Sequence, residues 1–156
     1  MTARITVSRL IAHREVLPLV AEWFRNEWPD WYGPGGPGNV EQDVQSFSNE
    51  GSLPLGILAF SDGAPCGAAA LKAESIPSHT HLRPWAAAGF VVPGLRGQGI
   101  GARLLSALEV EAKALGYSSI YCGTATANTL LQRAQWRVID SVQLHGKDVS
   151  VYEKSL

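Results

Sequence analysis

The chain has 156 residues, with 13 lysines and arginines against 14 aspartates and glutamates, and its formal net charge is −1. This balance argues against binding to nucleic acid or to an anionic membrane, and the sequence contains no apolar run of membrane-spanning length and no visible signal peptide. The length favours one domain over residues 1–156. The two cysteines, Cys66 and Cys122, match no zinc spacing, so we expect reduced thiols, a cytoplasmic protein and no metal site.

Apolar periodicity predicts a mixed sheet with helices between its strands. Asn39 is a suitable cap for the second helix, and Asp62-Gly63 and His145-Gly146 are the expected hairpin turns. The Gly/Pro stretch 33–38 is a loop, either a mobile lid or only a long connection. In chain order the predicted elements are a strand at 4–10, helices at 13–28 and 39–49, strands at 53–60, 65–72 and 85–92, a helix that opens at 102, a strand at 117–123, a short helix at 126–134, and strands at 136–144 and 147–154.

The most informative stretch is the glycine-rich turn between the strand at 85–92 and the following helix. Gly97, Gly99 and Gly101 allow the backbone to approach a ligand closely, and the first amides of a helix lack internal partners. Together with the helix dipole, these amides predict a phosphate site. A Walker A loop would end in Gly-Lys-Ser/Thr, and a Rossmann loop would be followed by an acid about 20 residues later; the sequence has neither. A helix-capping turn without a ligand is the alternative.

Arg96, Gly99 and Gly101 have the spacing Arg-x-x-Gly-x-Gly, which resembles the acetyl-CoA pyrophosphate loop of the GCN5-related N-acetyltransferase (GNAT) superfamily. The flanking sequence is similar as well, with Val-Val-Pro93 before the loop and Ala127-Asn128 after it. The specific likeness covers about residues 85–140. It implies a GNAT-like α/β (mixed α+β) fold, in which about four helices flank a central mixed sheet of six to seven strands.

The resemblance also implies an acetyl-CoA-dependent N-acetyltransferase. A primary amine of a small molecule or a peptide terminus would attack the thioester directly in a ternary complex. The alternative is a non-catalytic acyl-CoA-binding or sensing module of the same fold, and a homodimer is open because sheet edges often pair. The implied acetyl-CoA contacts are the backbone of Phe90, Val91 and Val92 with pantetheine, the segment Arg96, Gly97, Gln98, Gly99, Ile100 and Gly101 with pyrophosphate, and Asn128 with pantetheine, unless Asn128 only caps its helix.

The catalytic acid and base are both open. Many members of the superfamily carry a tyrosine near the sulfur, but Leu131 stands at that position here, so the acid would be Tyr121, another group or water. Some members use a glutamate on the strand before the loop, but residues 85–90 contain no carboxylate. An amine with a pKa of about 10 must lose a proton before it attacks. The candidate bases are His79, His81, Glu27, Asp30, His145 and water, and the catalytic candidates retained are His81, Asp30 and Tyr121.

In the superfamily the acceptor site is lined by the first helices, their connecting loop and the last hairpin. The loop that connects the first helices contains three aromatic residues and two carboxylates within residues 27–32, which suit a cationic amine. Residues 11–50 also carry seven acids against Arg14 and Arg25. An aromatic cluster that only closes the core is the alternative. The predicted acceptor-binding residues are Glu27, Trp28, Asp30, Trp31, Tyr32 and His145.

Overall fold

The computed structural model describes residues 3–156 and confirms the mixed sheet. Its strands are β1 (Ile5–Arg9), β2 (Leu55–Ser61), β3 (Ala64–Lys72), β4 (Trp85–Val91), β5 (Ser119–Thr124), β6 (Arg137–Leu144) and β7 (Lys147–Ser155). They form one seven-stranded sheet in the order β1-β2-β3-β4-β5-β7-β6. Every neighbouring pair is antiparallel except β4 and β5, which are parallel.

Within residues 3–156 five helices accompany the sheet, and the largest departures from the sequence prediction lie in the region of the first two. The first α-helix begins at residue 17 and not at 13, because Leu10–Val16 forms 3-10 turns in which His13 has a non-helical φ of −139°. Pro18 then lies in the first turn, where its missing N–H costs nothing. The loop predicted after residue 28 begins with a helical turn. The helices are α1 (Leu17–Glu27), α2 (Pro29–Tyr32), α3 (Val40–Ser46), α4 (Ile100–Ala114) and α5 (Asn128–Arg133).

Local signals account for the other boundaries. The side chain of Asn39 accepts a hydrogen bond from the N–H of Gln42 at 3.0 Å, which confirms the predicted cap of α3. Asp62 and Gly63 both have positive φ (49° and 85°), as a two-residue hairpin turn between β2 and β3 requires. His145 and its neighbouring glycine do the same between β6 and β7, with φ of 52° and 77°. Both predicted hairpins are therefore confirmed.

The helices pack on both faces of the sheet. Leu104 and Leu108 of α4 are buried against one face, and they follow Ile100 at the four-residue spacing that places side chains on one side of a helix. Phe24 of α1 and Val44 of α3 are buried against the other face. Burial of each large apolar side chain contributes about 1.5–3 kcal/mol. This packing fixes α4 beside β4 and thereby positions the glycine-rich loop that precedes it.

Two negative findings apply to residues 3–156. Within this range no helix has the length and apolar character needed to cross a membrane. Across the same residues, no cluster of three or more His, Cys, Asp or Glu side chains has the arrangement of a metal site. Cys66 is buried, Cys122 is partly buried, and both are free thiols.

Candidate functional site

The two parallel strands at the centre of the sheet diverge and open a cleft. β4 and β5 pair at Trp85 and Tyr121, where the Tyr121 N–H donates to the carbonyl of Pro84 at 3.0 Å. A cavity of about 490 Å³ lies where the strands separate, and we call it the main cleft. It is lined by residues 86–91 of β4, by Leu104, Leu105 and Leu108 of α4, by residues 122–127 after the divergence, and by Glu27, Trp28, Arg96, Gly101, Leu130 and Leu131.

The N-terminus of α4 has the geometry of an anion site. Gly99, the N-cap, is left-handed (φ 85°, ψ 5°) and provides no side-chain cap. The N–H of Arg103 donates to the carbonyl of Gly99 at 3.1 Å, so the amides of residues 100–102 have no acceptor within the helix. A Cβ built on Gly97 or Gly99 would meet no atom within 4 Å. The open space and the exposed amides at the start of a 15-residue helix fit a phosphate group.

Arg96 ties this loop to two other elements. Its Nε donates to the carbonyl of Val91 at 2.7 Å, and its Nη2 donates to Glu27 Oε2 at 2.8 Å. The guanidinium carbon lies 5.5 Å from the centre of the Phe90 ring, within the range of a cation–π contact. The arginine therefore connects the loop, β4 and the end of α1 at the main cleft.

A bulge in β4 leaves backbone groups free beside the cleft. Ala68 pairs with Phe90 and Ala70 with Ala87, so β4 has one residue more than β3 between these pairs. Ala88 has φ of 53°, a conformation that is uncommon for alanine, and a bulge leaves its extra residue outside the ladder. Ala88 lines the main cleft. Val92, for which a pantetheine contact is predicted, instead donates its N–H to Cys66 of β3 at 2.9 Å, so this amide belongs to the sheet.

A second cavity, of about 310 Å³, adjoins the main cleft on the side of α2 and α3. The two cavities share Trp28, Ala86, Ala87, Ala88 and Gly123. They therefore meet at the bulge of β4. The remaining residues that line the second cavity are Trp31, Tyr32, Phe47, Lys72 and Ser75.

The structure brings together the aromatic members of the predicted acceptor site but not its carboxylates. Trp28, Trp31 and Tyr32 line the second cavity. Glu27 lines the main cleft, paired with an arginine, whereas Asp30 is exposed and lines neither cavity.

Tyr32 is held by the neighbouring helix. Its hydroxyl donates to Asp43 Oδ2 of α3 at 2.7 Å. Burial, followed by the bond to this carboxylate, raises the pKa of Tyr32. The phenol therefore stays protonated and acts as a hydrogen-bond donor, not as a base.

Asn128 is held in place by a buried tyrosine. It is the first residue of α5, and because the N-cap of this helix is Ala127, the Asn128 side chain does not act as the cap. Its Oδ1 accepts a hydrogen bond from the Tyr152 hydroxyl at 2.7 Å, and the same hydroxyl accepts from Gln132 Nε2 at 3.3 Å. Leu131, in the same helix, is 1% exposed and lines the main cleft. The cleft therefore has a hydrocarbon wall at the position where many superfamily members carry a tyrosine.

The remaining predicted residues lie away from both cavities. Tyr121 packs against Trp85 in a separate buried cluster; burial, and then a hydrogen bond to Glu153, raise its pKa. His81 is exposed and stacks on His79 with ring centroids 5.9 Å apart. His145 is exposed in the last hairpin turn.

His79 has a structural partner of its own. Its Nε2 lies 2.8 Å from Asp140 Oδ2 on β6, and this bond lowers the pKa of Asp140. The contact joins the loop before β4 to the last hairpin of the sheet. His79 lines neither cavity.

Cys122 also lines the main cleft, although nothing in the sequence indicated this position. Burial raises the pKa of its thiol to about 12. Since the thiolate is the nucleophilic form of cysteine, the raised pKa leaves this side chain mainly as the protonated thiol near neutral pH. It contributes to the wall of the cleft.

Sequence reasoning also missed Lys72 and the bulge at Ala88. A signal exists for the first, because Lys72 ends the run Ala68-Ala69-Ala70-Leu71 and thus places a cation at the end of a strand of small residues. The bulge lies at the last of three consecutive alanines, and its signal is the glycine that follows at position 89, since a glycine inside a strand often marks a bulge.

Residues 17–134 match the sequence model of the Acetyltransferase (GNAT) family. Comparison with curated proteins gives no match. The fold is similar to a crystal structure of aminoglycoside 6'-N-acetyltransferase complexed with coenzyme A (TM-score 0.77, 14% identity, 96% of each chain covered). It is also similar to yncA from Salmonella typhimurium with its cofactor acetyl-CoA (TM-score 0.75, 17% identity, 97% of this chain and 93% of that chain). A GCN5-related N-acetyltransferase from Kribbella flavida gives a TM-score of 0.71 at 21% identity and covers 97% of this chain and 98% of that chain.

Proposed function

The chain belongs to the GNAT family of acetyltransferases, and we propose that it transfers the acetyl group of acetyl-CoA to a primary amine of a small molecule or a peptide terminus. The observation that carries the proposal is the meeting of two cavities at Ala87 and Ala88. One cavity leads from there towards an anion site at a helix N-terminus, and the other is lined by aromatic side chains. Two reactants would thus approach one point of β4 from two sides.

The donor would be held mainly by backbone groups. The amides of residues 97–101 would bind the pyrophosphate, in agreement with the open space at Gly97 and Gly99. Val92 donates its N–H to β3, so the alternation of hydrogen bonds in an antiparallel pair turns the N–H of Val91 away from β3 and towards the cleft, where it can pair with pantetheine. Arg96 already donates to the Val91 carbonyl. In this proposal Arg96 positions the loop and β4, while the main-chain amides carry the phosphates.

Acetyl-CoA supplies a thioester, whose carbonyl carbon bonds to the amine nitrogen as the C–S bond breaks. An N–H at the β4 bulge would donate to the carbonyl oxygen as negative charge develops there. The departing thiolate has an ordinary pKa of about 8.5, so it can leave without an acid from the protein. This agrees with Leu131 in the cleft wall and with a protonated Cys122 beside it.

Water would accept the proton of the amine. Glu27 is the one carboxylate among the residues that line the two cavities, and its Oε2 is engaged by Arg96 at 2.8 Å. The histidines proposed as bases lie outside both cavities. The single-domain organisation, the cytoplasmic location and the homodimer stay predictions.

Binding and turnover test the proposal. We expect heat of binding with acetyl-CoA in calorimetry and release of free CoA thiol when a suitable amine is added. Replacement of Gly99 and Gly101 by valine should abolish binding, since Gly99 has a φ of 85°, which a β-branched residue adopts only with strain, and Gly101 lines the main cleft in the first turn of α4. Gly94→Val is the matched control, because a Cβ there also meets no atom within 4 Å and its φ is not positive.

The outcomes separate three cases. Binding with thiol release supports the acetyltransferase. Binding without thiol release across a broad panel of amines and peptides would support the acyl-CoA-binding module, which the missing tyrosine and the missing β4 carboxylate favour. Absence of binding, or full affinity in the Gly99/Gly101 double variant, would contradict the proposed donor site.

A further inference from the structure

Lys72 is the charged residue among those that line the second cavity. It ends β3, opposite Trp85 of β4. Ala68 and Ala70 pack with the α1 and α3 cluster, and side chains alternate along a strand, so Lys72 projects towards the same face. The ammonium group thus belongs to the aromatic cavity and not to the main cleft.

No carboxylate within residues 3–156 forms an ion pair with Lys72. Three acids of α1 and α3 are engaged elsewhere: Asp43 accepts from Tyr32, Glu27 pairs with an arginine of the loop, and Glu41 pairs with Arg25. Asp30 and Glu74 are exposed and line neither cavity. Lys72 is half-buried, and an anionic group bound in the cavity would give this cation the charge-assisted hydrogen bond that it lacks.

The other walls restrict the size and character of the molecule. Trp28, Trp31 and Phe47 provide apolar surface, and Ser75 adds one hydroxyl. A volume of about 310 Å³ lies at the lower end of the range for small-molecule pockets. The accessible lining of the cavity is more polar than apolar, so the site suits a small molecule with one negative group and one apolar or aromatic portion that packs against these aromatic rings.

Resting on the proposed acetyl transfer, we propose that the acceptor is an amino acid with an apolar or aromatic side chain, whose carboxylate pairs with Lys72. Lys72 lies opposite Trp85, which precedes Ala87 by two residues in β4. A strand rises about 3.3 Å per residue, so Lys72 and Ala87 are separated by roughly 7 Å along the strand direction. Both residues line the second cavity, and a molecule of amino-acid size can span this distance. The amine of the same small molecule can therefore reach the bulge where the two cavities meet.

The cavity also disfavours the other acceptors. A peptide terminus has no carboxylate on its first residue, so it would leave Lys72 unpaired. A polycationic amine would place further positive charge beside an ammonium group. The seven acids of residues 11–50 do not make the second cavity favourable for a polycation, because the carboxylates of this segment do not line it.

A matched set of three acceptors tests the proposal: L-phenylalanine, L-phenylalaninamide and 2-phenylethylamine, each with acetyl-CoA and a thiol readout. We expect kcat/KM to be highest for the amino acid. Lys72→Met should lower it about 10- to 100-fold, the effect of one charge-assisted hydrogen bond, and leave the amide and the amine within about threefold. Lys72→Arg should retain part of the preference. Lys113→Met, at an exposed site on α4, is the control.

Binding provides a readout that is independent of turnover. The CoA-bound protein should bind N-acetylphenylalanine more tightly than N-acetylphenylalaninamide, and Lys72→Met should remove the difference. The amino-acid proposal would be overturned if the acid and the amide were used equally, or if the preference for the acid survived in Lys72→Met. It would also be overturned if the two acetylated products bound equally or did not bind. If acetyl-CoA itself fails to bind, the proposed function fails; if amines or amides are acetylated without a carboxylate preference, only the acceptor assignment fails.

Discussion

The main cleft and the second cavity share one wall, but different parts of the chain make them specific. The main cleft takes its chemistry from the backbone: a left-handed Gly99, the amides that begin α4 and the free edge of β4. The second cavity takes its chemistry from side chains on α2, immediately after α3 and at the end of β3. A backbone site needs glycines at fixed spacing, whereas a side-chain site depends on which distant residues the fold brings together. The first can therefore be detected in a sequence, and the second has to be located in the structure.

The shared wall is the most sensitive point of this comparison. Ala87 lines both cavities, so Ala87→Leu should obstruct donor and acceptor together. We expect kcat/KM to fall at least about 100-fold, because misplacement of reactants by about 1 Å can cost that much. The measurement is thiol release with saturating acetyl-CoA, together with circular dichroism to verify the fold.

Ala114→Leu, at an exposed position near the end of α4, is the matched control. If Ala87→Leu weakened the apparent affinity for only one of the two reactants, the cavities would not meet at this residue. The proposed donor and acceptor sites would then be separated at a residue other than Ala87.

Arg96 tests whether the donor side depends on backbone alone. Arg96→Ala removes the donor to Val91 and the partner of Glu27, and we expect acetyl-CoA affinity to fall about tenfold, the effect of losing one hydrogen bond from a charged group. Glu27→Gln should cost less, since exposed ion pairs contribute about 0–1 kcal/mol and the contacts with Val91 and Phe90 remain. Calorimetry with acetyl-CoA measures both variants. A loss in Glu27→Gln as large as that in Arg96→Ala would mean that the ion pair, and not the contact with Val91, organises the loop.

The sequence predicted most of the fold because its signals are local. Asp62-Gly63 specifies a turn within two residues, and Asn39 caps a helix through a contact three residues away. The anion loop is also local, from Arg96 to the first turn of α4. These features could be predicted without knowledge of the sheet order.

The acceptor side could not be predicted in the same way. Glu27 carries a carboxylate beside three aromatic residues in the sequence, but its partner, Arg96, is 69 residues away and takes it out of the second cavity. His79 is paired with Asp140, 61 residues away. Lys72 joins the aromatic residues because the first helices pack on the face of β3 to which its side chain belongs. Pairing of charges over long sequence separations therefore determines which predicted side chains are available to a ligand.

Tyr152 offers a milder test of the predicted donor contact of Asn128, which follows the cleft-lining Ala127 but is not itself among the residues that line the main cleft. Tyr152→Phe removes the hydroxyl that donates to Asn128 and accepts from Gln132. We expect KM for acetyl-CoA to rise about threefold with kcat little changed, and the free energy of unfolding to fall by about 1 kcal/mol. Asn128→Ala should raise KM by at least as much.

Tyr117→Phe is the control for this pair, since Tyr117 precedes β5 and lines neither cavity. Steady-state kinetics and urea unfolding provide the two readouts. A loss of stability in Tyr152→Phe without any change in KM would make the tyrosine purely structural. Asn128 would then have no role in donor binding that depends on its orientation.

The smallest effect is expected at Cys122, where the main cleft contains a nucleophilic residue type in an inert form. An acetylated cysteine intermediate would require a thiolate, and a pKa of about 12 leaves the thiol protonated throughout the range from pH 7 to 9. Cys122→Ala should therefore keep kcat/KM within about twofold, and iodoacetamide should label the folded protein slowly at pH 8 but the unfolded chain rapidly, because an unfolded cysteine has a pKa of about 8.5. Rapid labelling of Cys122 in the folded protein, or loss of turnover in Cys122→Ala with acetyl-CoA binding intact, would replace direct attack by a two-step transfer through this thiol. The chemistry of the main cleft would then depend on the Cys122 side chain, just as that of the second cavity depends on side chains.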